Sequence, residues 1–227
     1  MKIARLAGLM LVAVMALGLV VTSVAAAAPE FNPSSGVKIL GTSGIGKLVA
    51  NNGTETVTCE KDTSSGEVTS ATLAGNILVH FLGCHAVSST GECTVKSEGA
   101  PAENLIITTT LHGLLGLVLG GGTSSASDVG LLLLPGSGKR FVTLEGTCLA
   151  TDPIQVTGLV AGLIEPVGKS AKTAKLVLAT SSGKQAITDI DVSGGSLVAP
   201  KLTAGTTAAT EETTELLNFD GAELEVT

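Results

Sequence analysis

A short apolar run bounded by glycines and followed by two cysteines constrains the fold of this chain more than any other feature. Between Gly75 and Gly83, apolar residues occupy most positions of both alternating sets, which is typical of a β-strand covered on both faces. Cys84 and Cys93 follow, nine residues apart across a Ser/Gly-rich turn. The segment therefore predicts a buried strand that leads into a hairpin within reach of a disulfide.

The N-terminal segment predicts export. Two basic residues precede an almost wholly apolar run, Leu6–Val24, and four alanines follow it. This pattern is typical of a secretory signal peptide, here residues 1–27 with cleavage near Ala27, and an uncleaved membrane anchor is the alternative. We expect residues 28–227 to be secreted or held outside the cytoplasm, with no membrane span in the mature chain.

Charge and aromatic content argue against several classes of function. The formal net charge is −7, and loss of Lys2 and Arg5 with the leader makes it more negative. Because neutralisation of phosphates dominates nucleic-acid affinity, we expect no nucleic-acid partner. The chain has no Trp, no Tyr and only four Phe, so it lacks the aromatic platforms on which sugars and single-stranded bases stack.

Cysteine number predicts two disulfide bonds. An even count in an exported chain indicates a disulfide framework, and four cysteines allow three connectivities. The short loop between Cys84 and Cys93 closes most easily, which favours that bond and leaves Cys59 to pair with Cys148.

Histidines offer little support for metal binding or catalysis. A metal site could combine Cys84 and Cys93 with His80 and His85, but the paired close spacing of zinc ligands is missing. His112 lies apart from the others and is expected in a turn. Without a G-x-S-x-G motif or a base near a nucleophile, no catalytic residue, metal ligand or cofactor is predicted.

Acidic residues in the last quarter of the chain predict a solvated connection. Glu211, Glu212 and Glu215 lie together in a Thr/Ala/Glu-rich segment. A calcium site that uses these residues, or Asp189 and Asp191, lacks the glycine-anchored acidic spacing of calcium loops.

Paired carboxylates remain the basis of an alternative, an extracellular hydrolase. Glu145 with Asp152, or Glu165 with Asp189, could meet in the fold. Such pairs need a defined separation that sequence does not show.

One stretch matches part of a phosphate-binding loop. Gly41–Lys47 fits G-x-x-x-x-G-K, but Leu48 stands where the motif needs Ser or Thr for magnesium, and no helical pattern follows. We interpret the stretch as a hairpin turn.

Strand signals dominate the mature chain. Roughly 14 short runs at regular spacing predict an antiparallel β-sandwich or barrel-like domain, preceded by the signal-peptide helix. Lys61–Ser65 reads as a turn. Leu105–Leu111 and Leu114–Leu119 read as two strands that bend at His112-Gly113. A single all-β domain over 28–227 is expected, with a subdivision near 150–200 left open.

Several short fragments carry a resemblance. They are Val57-Thr-Cys59, Gly66-Glu-Val68, Phe81-Leu-Gly-Cys84, Gly91-Glu-Cys93, Leu111-His-Gly-Leu-Leu-Gly116, Val129-Gly-Leu-Leu-Leu-Leu-Pro135 and Thr157-Gly-Leu-Val-Ala-Gly162. With them the chain resembles a group of small exported proteins from soil actinobacteria over most of residues 36–227. The resemblance implies export, an all-β body and cross-linked cysteines, and it implies no activity.

The sequence favours a non-enzymatic, exported, disulfide-stabilised β-protein with a structural or binding role in the cell envelope or the extracellular space. Its partner is unknown. The alternative is a ligand-binding β-barrel, since many small apolar residues and glycines would permit an apolar cavity. An empty apolar cavity would favour this alternative, and a filled core would count against it.

Overall fold

The computed structural model describes residues 27–121, 128–149, 153–192 and 196–227. The signal-peptide prediction lies outside these residues, except at Ala27. The described residues contain 23 strands and a single 3-10 turn at Asn51–Gly53, so the all-β prediction is confirmed. Among them no helix has the length and apolar character needed to cross a membrane.

Strands before the first gap are β1 (Phe31–Asn32), β2 (Lys38–Ser43), β3 (Gly46–Ala50), β4 (Glu55–Cys59), β5 (Lys61–Ser70), β6 (Leu73–Leu82), β7 (His85–Ser88), β8 (Gly91–Thr94), β9 (Lys96–Ser97), β10 (Leu105–Ile107) and β11 (Leu111–Gly121). The later strands are β12 (Val129–Pro135), β13 (Arg140–Glu145), β14 (Ile154–Gly158), β15 (Val160–Glu165), β16 (Thr173–Leu178), β17 (Thr180–Ser181), β18 (Lys184–Gln185), β19 (Ile187–Val192), β20 (Ser196–Val198), β21 (Leu202–Ala204), β22 (Thr207–Asn218) and β23 (Glu225–Val226).

Eight strands pair in chain order to form a closed barrel, here called the first ring. Its members are β2, β5, β6, β11, β12, β15, β16 and the C-terminal half of β22, each antiparallel to the next. The ring closes because β22 also pairs with β2, with Leu40 opposite Asn218. The barrel form of the prediction is therefore the one observed, as an up-and-down meander with insertions.

The segments between these strands build a second ring, which continues the wall of the first. Its members are β3, β4, β7, the β8–β9 strand, β13, β14, β21 and the N-terminal half of β22. β8 pairs with β7 and β9 pairs with β13, and only Val95 separates β8 from β9. Strands pass from one ring to the other with one or two residues between them, as β2 passes into β3 and β4 into β5.

The apolar strand β12 is buried on both faces of the barrel wall. Leu131 and Leu133 belong to the main core, whereas Leu132 packs in a second cluster with Ile190 of β19. β19 pairs with the end of β11, beyond the part of β11 that pairs with β6. A strand buried on both faces is apolar at nearly every position, as the sequence of β12 is.

Two local predictions are wrong. β11 continues without a break through His112 and Gly113, with only a shift of its register against β6 between Leu111 and Gly113. Gly113 makes room for Leu131, because a Cβ at Gly113 would lie 3.0 Å from that side chain. The break falls instead at 108–110, where the backbone N–H of Val79 donates a hydrogen bond to Thr108 Oγ1. Lys61–Ser65 is not a turn but the start of β5, a ten-residue strand.

Candidate ligand-binding cavity

Both disulfide bonds lie in the second ring and its junction with the first. All four cysteines are cross-linked, but the pairs are Cys59–Cys84 and Cys93–Cys148, so the favoured connectivity is wrong. The reason is strand register. β4 and β7 place Thr58 opposite His85, so the next residues outward, Cys59 and Cys84, lie face to face with Cα atoms 4.0 Å apart. Loop length, on which the prediction depended, ignores such cross-strand neighbours.

A cavity of about 100 Å³ lies inside the barrel where the two rings meet. Its wall combines residues of both rings, and most of them are aliphatic or aromatic. They include Leu48, Val57, Val79, Phe81, Ile106, Leu111, Leu133, Phe141, Val142, Leu144, Val156, Val160, Leu178 and Leu202. The interior of an eight-stranded barrel is just wide enough to be filled by side chains or to hold one small ligand. The observed space is the empty apolar cavity that favours the second possibility.

Three carboxyl groups interrupt this apolar wall. β22 contributes Glu211, Thr213 and Glu215, which share the inward face because side chains alternate along a strand. Asp62 joins them from β5 and is only 3% exposed. The prediction of a solvated acidic connection is therefore wrong for Glu211 and Glu215, and it holds for Glu212, which is exposed on the opposite face.

Two glycines of β2 and β3 leave space for these acids. At Gly41 a Cβ would overlap Oε1 of Glu215 and Oγ of Ser64. At Gly46 a Cβ would stay 3.7 Å from Thr213 and 3.8 Å from Oε1 of Glu211. The glycines of the apparent phosphate-loop motif thus lie beneath the glutamates, and Gly41 is required for the position of Glu215.

Only some of the polar atoms of Asp62, Thr213 and Glu215 form hydrogen bonds. Ser43 donates a hydrogen bond to Asp62 Oδ2, and Ser64 donates one to Glu215 Oε1. Asp62 Oδ1 and Thr213 Oγ1 are buried and have no hydrogen-bond partner. A buried polar atom without a partner costs about 1–3 kcal/mol, so two of them on one cavity wall call for an explanation.

Burial in an apolar wall disfavours the charged form of these acids. Burial raises the pKa of Glu215 to about 7, against the opposing hydrogen bond from Ser64 and with a smaller contribution from the charge of Asp62. Burial likewise raises the pKa of Asp62, while the hydrogen bond from Ser43 lowers it. The pKa of the half-buried Glu211 is raised well above its ordinary value, first by burial and then by the charge of Asp62.

No cation accompanies this cluster. In the part of the chain that the structure describes, the salt bridges are Lys96–Glu103 and the contact of His85 with Glu92, and neither lies on the cavity wall. No group of three or more His, Cys, Asp or Glu side chains among the described residues is arranged to hold a metal. The cluster is therefore an anionic or proton-holding group for which the described residues supply no counter-charge.

The apparent phosphate loop and the cysteine–histidine combination have different roles in the fold. Gly41–Lys47 is not a hairpin turn, because β2 and β3 form one strand with a short break, and both pair with β22. Leu48 lies on β3 rather than on a helix. Cys84 and Cys93 are in disulfides and cannot serve as thiolate ligands beside His80 and His85.

The suggested hydrolase pairs are distributed over separate strands. Glu145 pairs in register with Lys96, and Asp152 lies outside the described residues. Glu165 is exposed at the end of β15, opposite Lys175, and Asp189 lies on β19 opposite Gly120.

The chain matches no protein-family model, and no curated protein or solved structure is significantly similar to it. The cavity is therefore interpreted from its geometry. Disulfides form and persist in oxidising compartments, so the two bonds indicate an extracytoplasmic location.

Proposed function

We propose that this protein is a non-enzymatic, exported β-barrel that binds a small, mainly apolar molecule inside the barrel, in the cell envelope or the extracellular space. The observation that carries the proposal is the cavity of about 100 Å³ with an apolar wall and two buried polar atoms that lack partners. Native interiors are close-packed. This cavity has the mainly apolar lining with a few polar groups that is common in ligand sites, and it is smaller than the roughly 300–1,000 Å³ of most of them. The signal-peptide pattern and the two disulfides support the proposed export.

Cavity size limits the ligand to a few atoms. An apolar protein cavity of roughly 150 Å³ holds a molecule of benzene, so a cavity of about 100 Å³ has room for about four or five non-hydrogen atoms. The best very small ligands gain at most about 1.5 kcal/mol per non-hydrogen atom, which corresponds to micromolar dissociation constants or weaker.

The test is a titration of the oxidised protein with 1-butanol and with diethyl ether, each of five non-hydrogen atoms, followed by Tm and by amide chemical shifts. A ligand that binds only the folded state raises Tm in a saturable way. Val156→Leu, which adds one methylene to the cavity wall, should weaken binding. Val68→Leu is the matched control, because Val68 is buried but does not line the cavity. Absence of saturable shifts with either probe, and with the cationic probe used below, would contradict the proposal.

A further inference from the structure

The polar part of the cavity wall has a composition that selects one kind of ligand. Asp62, Glu211 and Glu215 present carboxyl groups, and Thr213 presents a hydroxyl, in a wall that is otherwise apolar. Oxygen atoms predominate in this group, and no described lysine, arginine or histidine lines the cavity. A ligand that complements the wall therefore brings hydrogen-bond donors and a positive charge, together with a short apolar body.

We propose that the ligand is a small aliphatic primary amine, an inference that rests on the proposed function. The amine binds as its ammonium ion, with the nitrogen at Asp62 and Thr213 and the alkyl chain among the apolar residues of the cavity. An ammonium group has three N–H donors and no acceptor. Asp62 Oδ1 and Thr213 Oγ1 are two buried acceptors without partners, and both belong to residues that line the cavity. A single ionised carboxylate neutralises the ammonium ion, and Asp62, Glu211 and Glu215 provide three carboxyl groups on the cavity wall that can do so.

Other cations fit less well. A quaternary ammonium ion has no N–H donor for the two unpartnered oxygens. A guanidinium group fills most of a cavity of about 100 Å³ with its planar head and leaves little room for an apolar body. A metal ion lacks a suitable set of ligands, since no described cluster of three acidic, histidine or cysteine side chains is arranged for one.

Charge pairing predicts how pH affects this binding. The titratable groups that line the cavity are Asp62 from β5 and Glu211 and Glu215 from β22. Burial raises the pKa of Glu215 to about 7, so Glu215 is mostly protonated below that pH. A protonated carboxyl attracts an ammonium ion less than a carboxylate does. Affinity for the amine should therefore rise between about pH 5 and pH 8, while affinity for a neutral molecule of the same size should not.

The experiment compares n-butylammonium chloride with 1-butanol, which has the same number of non-hydrogen atoms. Both are titrated into the oxidised full-length mature protein at about pH 5 and pH 8, with calorimetry and amide chemical shifts as readouts. We expect n-butylammonium to bind about tenfold or more tightly than 1-butanol at pH 8, and this preference to shrink at pH 5. Potassium chloride at equal ionic strength serves as the control for a non-specific salt effect.

Substitutions of single acidic residues show which carboxylate attracts the ammonium ion. Glu215→Gln should lower the affinity for n-butylammonium about tenfold and leave that for 1-butanol unchanged, and Asp62→Asn should act in the same direction. Glutamine closely matches the shape of the protonated carboxyl that burial favours, so Glu215→Gln should fold. Glu212→Gln is the matched control, because Glu212 lies on the same strand but faces outward, where it accepts a hydrogen bond from Thr180.

The outcomes separate the two proposals. If 1-butanol binds as well as n-butylammonium at pH 8, and Glu215→Gln changes neither, the amine inference is overturned and the binding cavity stands. If neither probe nor diethyl ether gives saturable shifts, the proposed binding function fails as well. Displacement of n-butylammonium by potassium alone would also overturn the inference, because it would show a site for simple cations.

Discussion

The interior of the first ring and the junction between the rings are built by the same strands but are packed differently. Leu176 and Leu178 are successive inward residues of β16. Leu176 is 2% exposed and faces a void of about 40 Å³, whereas Leu178 lines the cavity of about 100 Å³. Packing is therefore looser at the junction, where Asp62 and Glu211 lie, than in the interior of the first ring. A barrel with a uniformly poor core would show equal spaces in the two places.

Truncation of the two leucines tests this comparison most strongly. Leu176→Ala should lower the free energy of unfolding by about 4 kcal/mol, because Leu176 is 2% exposed and borders a void of only about 40 Å³, so the truncation removes many packing contacts. Leu178→Ala should cost about 2 kcal/mol, since one side of Leu178 already faces empty space. Urea unfolding of both variants at one pH gives the difference. Equal costs would show that the cavity is filled in solution.

The pH dependence of stability tests the buried acids at the junction. Burial raises the pKa of Glu215 to about 7 in the folded state, whereas an unfolded glutamate titrates near 4.5. The folded protein thus holds a proton that the unfolded chain releases between these values, so stability is highest below about pH 4.5 and falls as pH rises to about 7. For Glu215 alone the loss is about 3 kcal/mol at most, and raised pKa values at Asp62 and Glu211 act in the same direction.

The matching measurement is urea unfolding at about pH 5 and pH 8 for the wild type, Glu215→Gln and Glu212→Gln. Glu215→Gln should lose the share of the pH dependence that belongs to Glu215, up to about 3 kcal/mol, and Glu212→Gln should keep the whole of it. A wild-type protein that is as stable at pH 8 as at pH 5 would show that Glu215 titrates normally.

Substitutions of Gly41 and Gly46 should have the smallest effects on stability, and they compare two positions next to the buried glutamates. Gly41→Ala should destabilise the fold by about 1–3 kcal/mol, because the new methyl group overlaps the carboxylate of Glu215. Gly46→Ala should change stability by less than about 0.5 kcal/mol, since its methyl group would make ordinary contacts. Thermal unfolding of the pair distinguishes them. Similar values would mean that Glu215 does not lie over Gly41.

Sequence reasoning predicted the fold class, but not every local turn and not the cross-strand neighbours. The all-β fold and the use of all four cysteines in disulfides followed from local composition and pattern. The pairing of Cys59 with Cys84 depended on the register between β4 and β7, which no single stretch of sequence encodes.

The buried acids were missed for a related reason. Glu211 and Glu215 were read as part of a charged run, but they alternate with exposed residues in a period of two that continues to Leu217. That alternation was visible and predicts one buried face. Asp62 carried no comparable signal, because its neighbours in space come from β2 and β22. The actinobacterial resemblance and the leader remain predictions.

Strand β22 has a consequence for the order of folding. It is the last barrel strand in the chain, and it pairs with β2 and β3 from the beginning of the barrel as well as with β16 and β21. Before residues 207–218 are in place, both rings have open edges that could pair with another chain. Contacts between such distant parts of a chain form slowly. The barrel therefore cannot close before residues 207–218 are available, and one strand completes both rings.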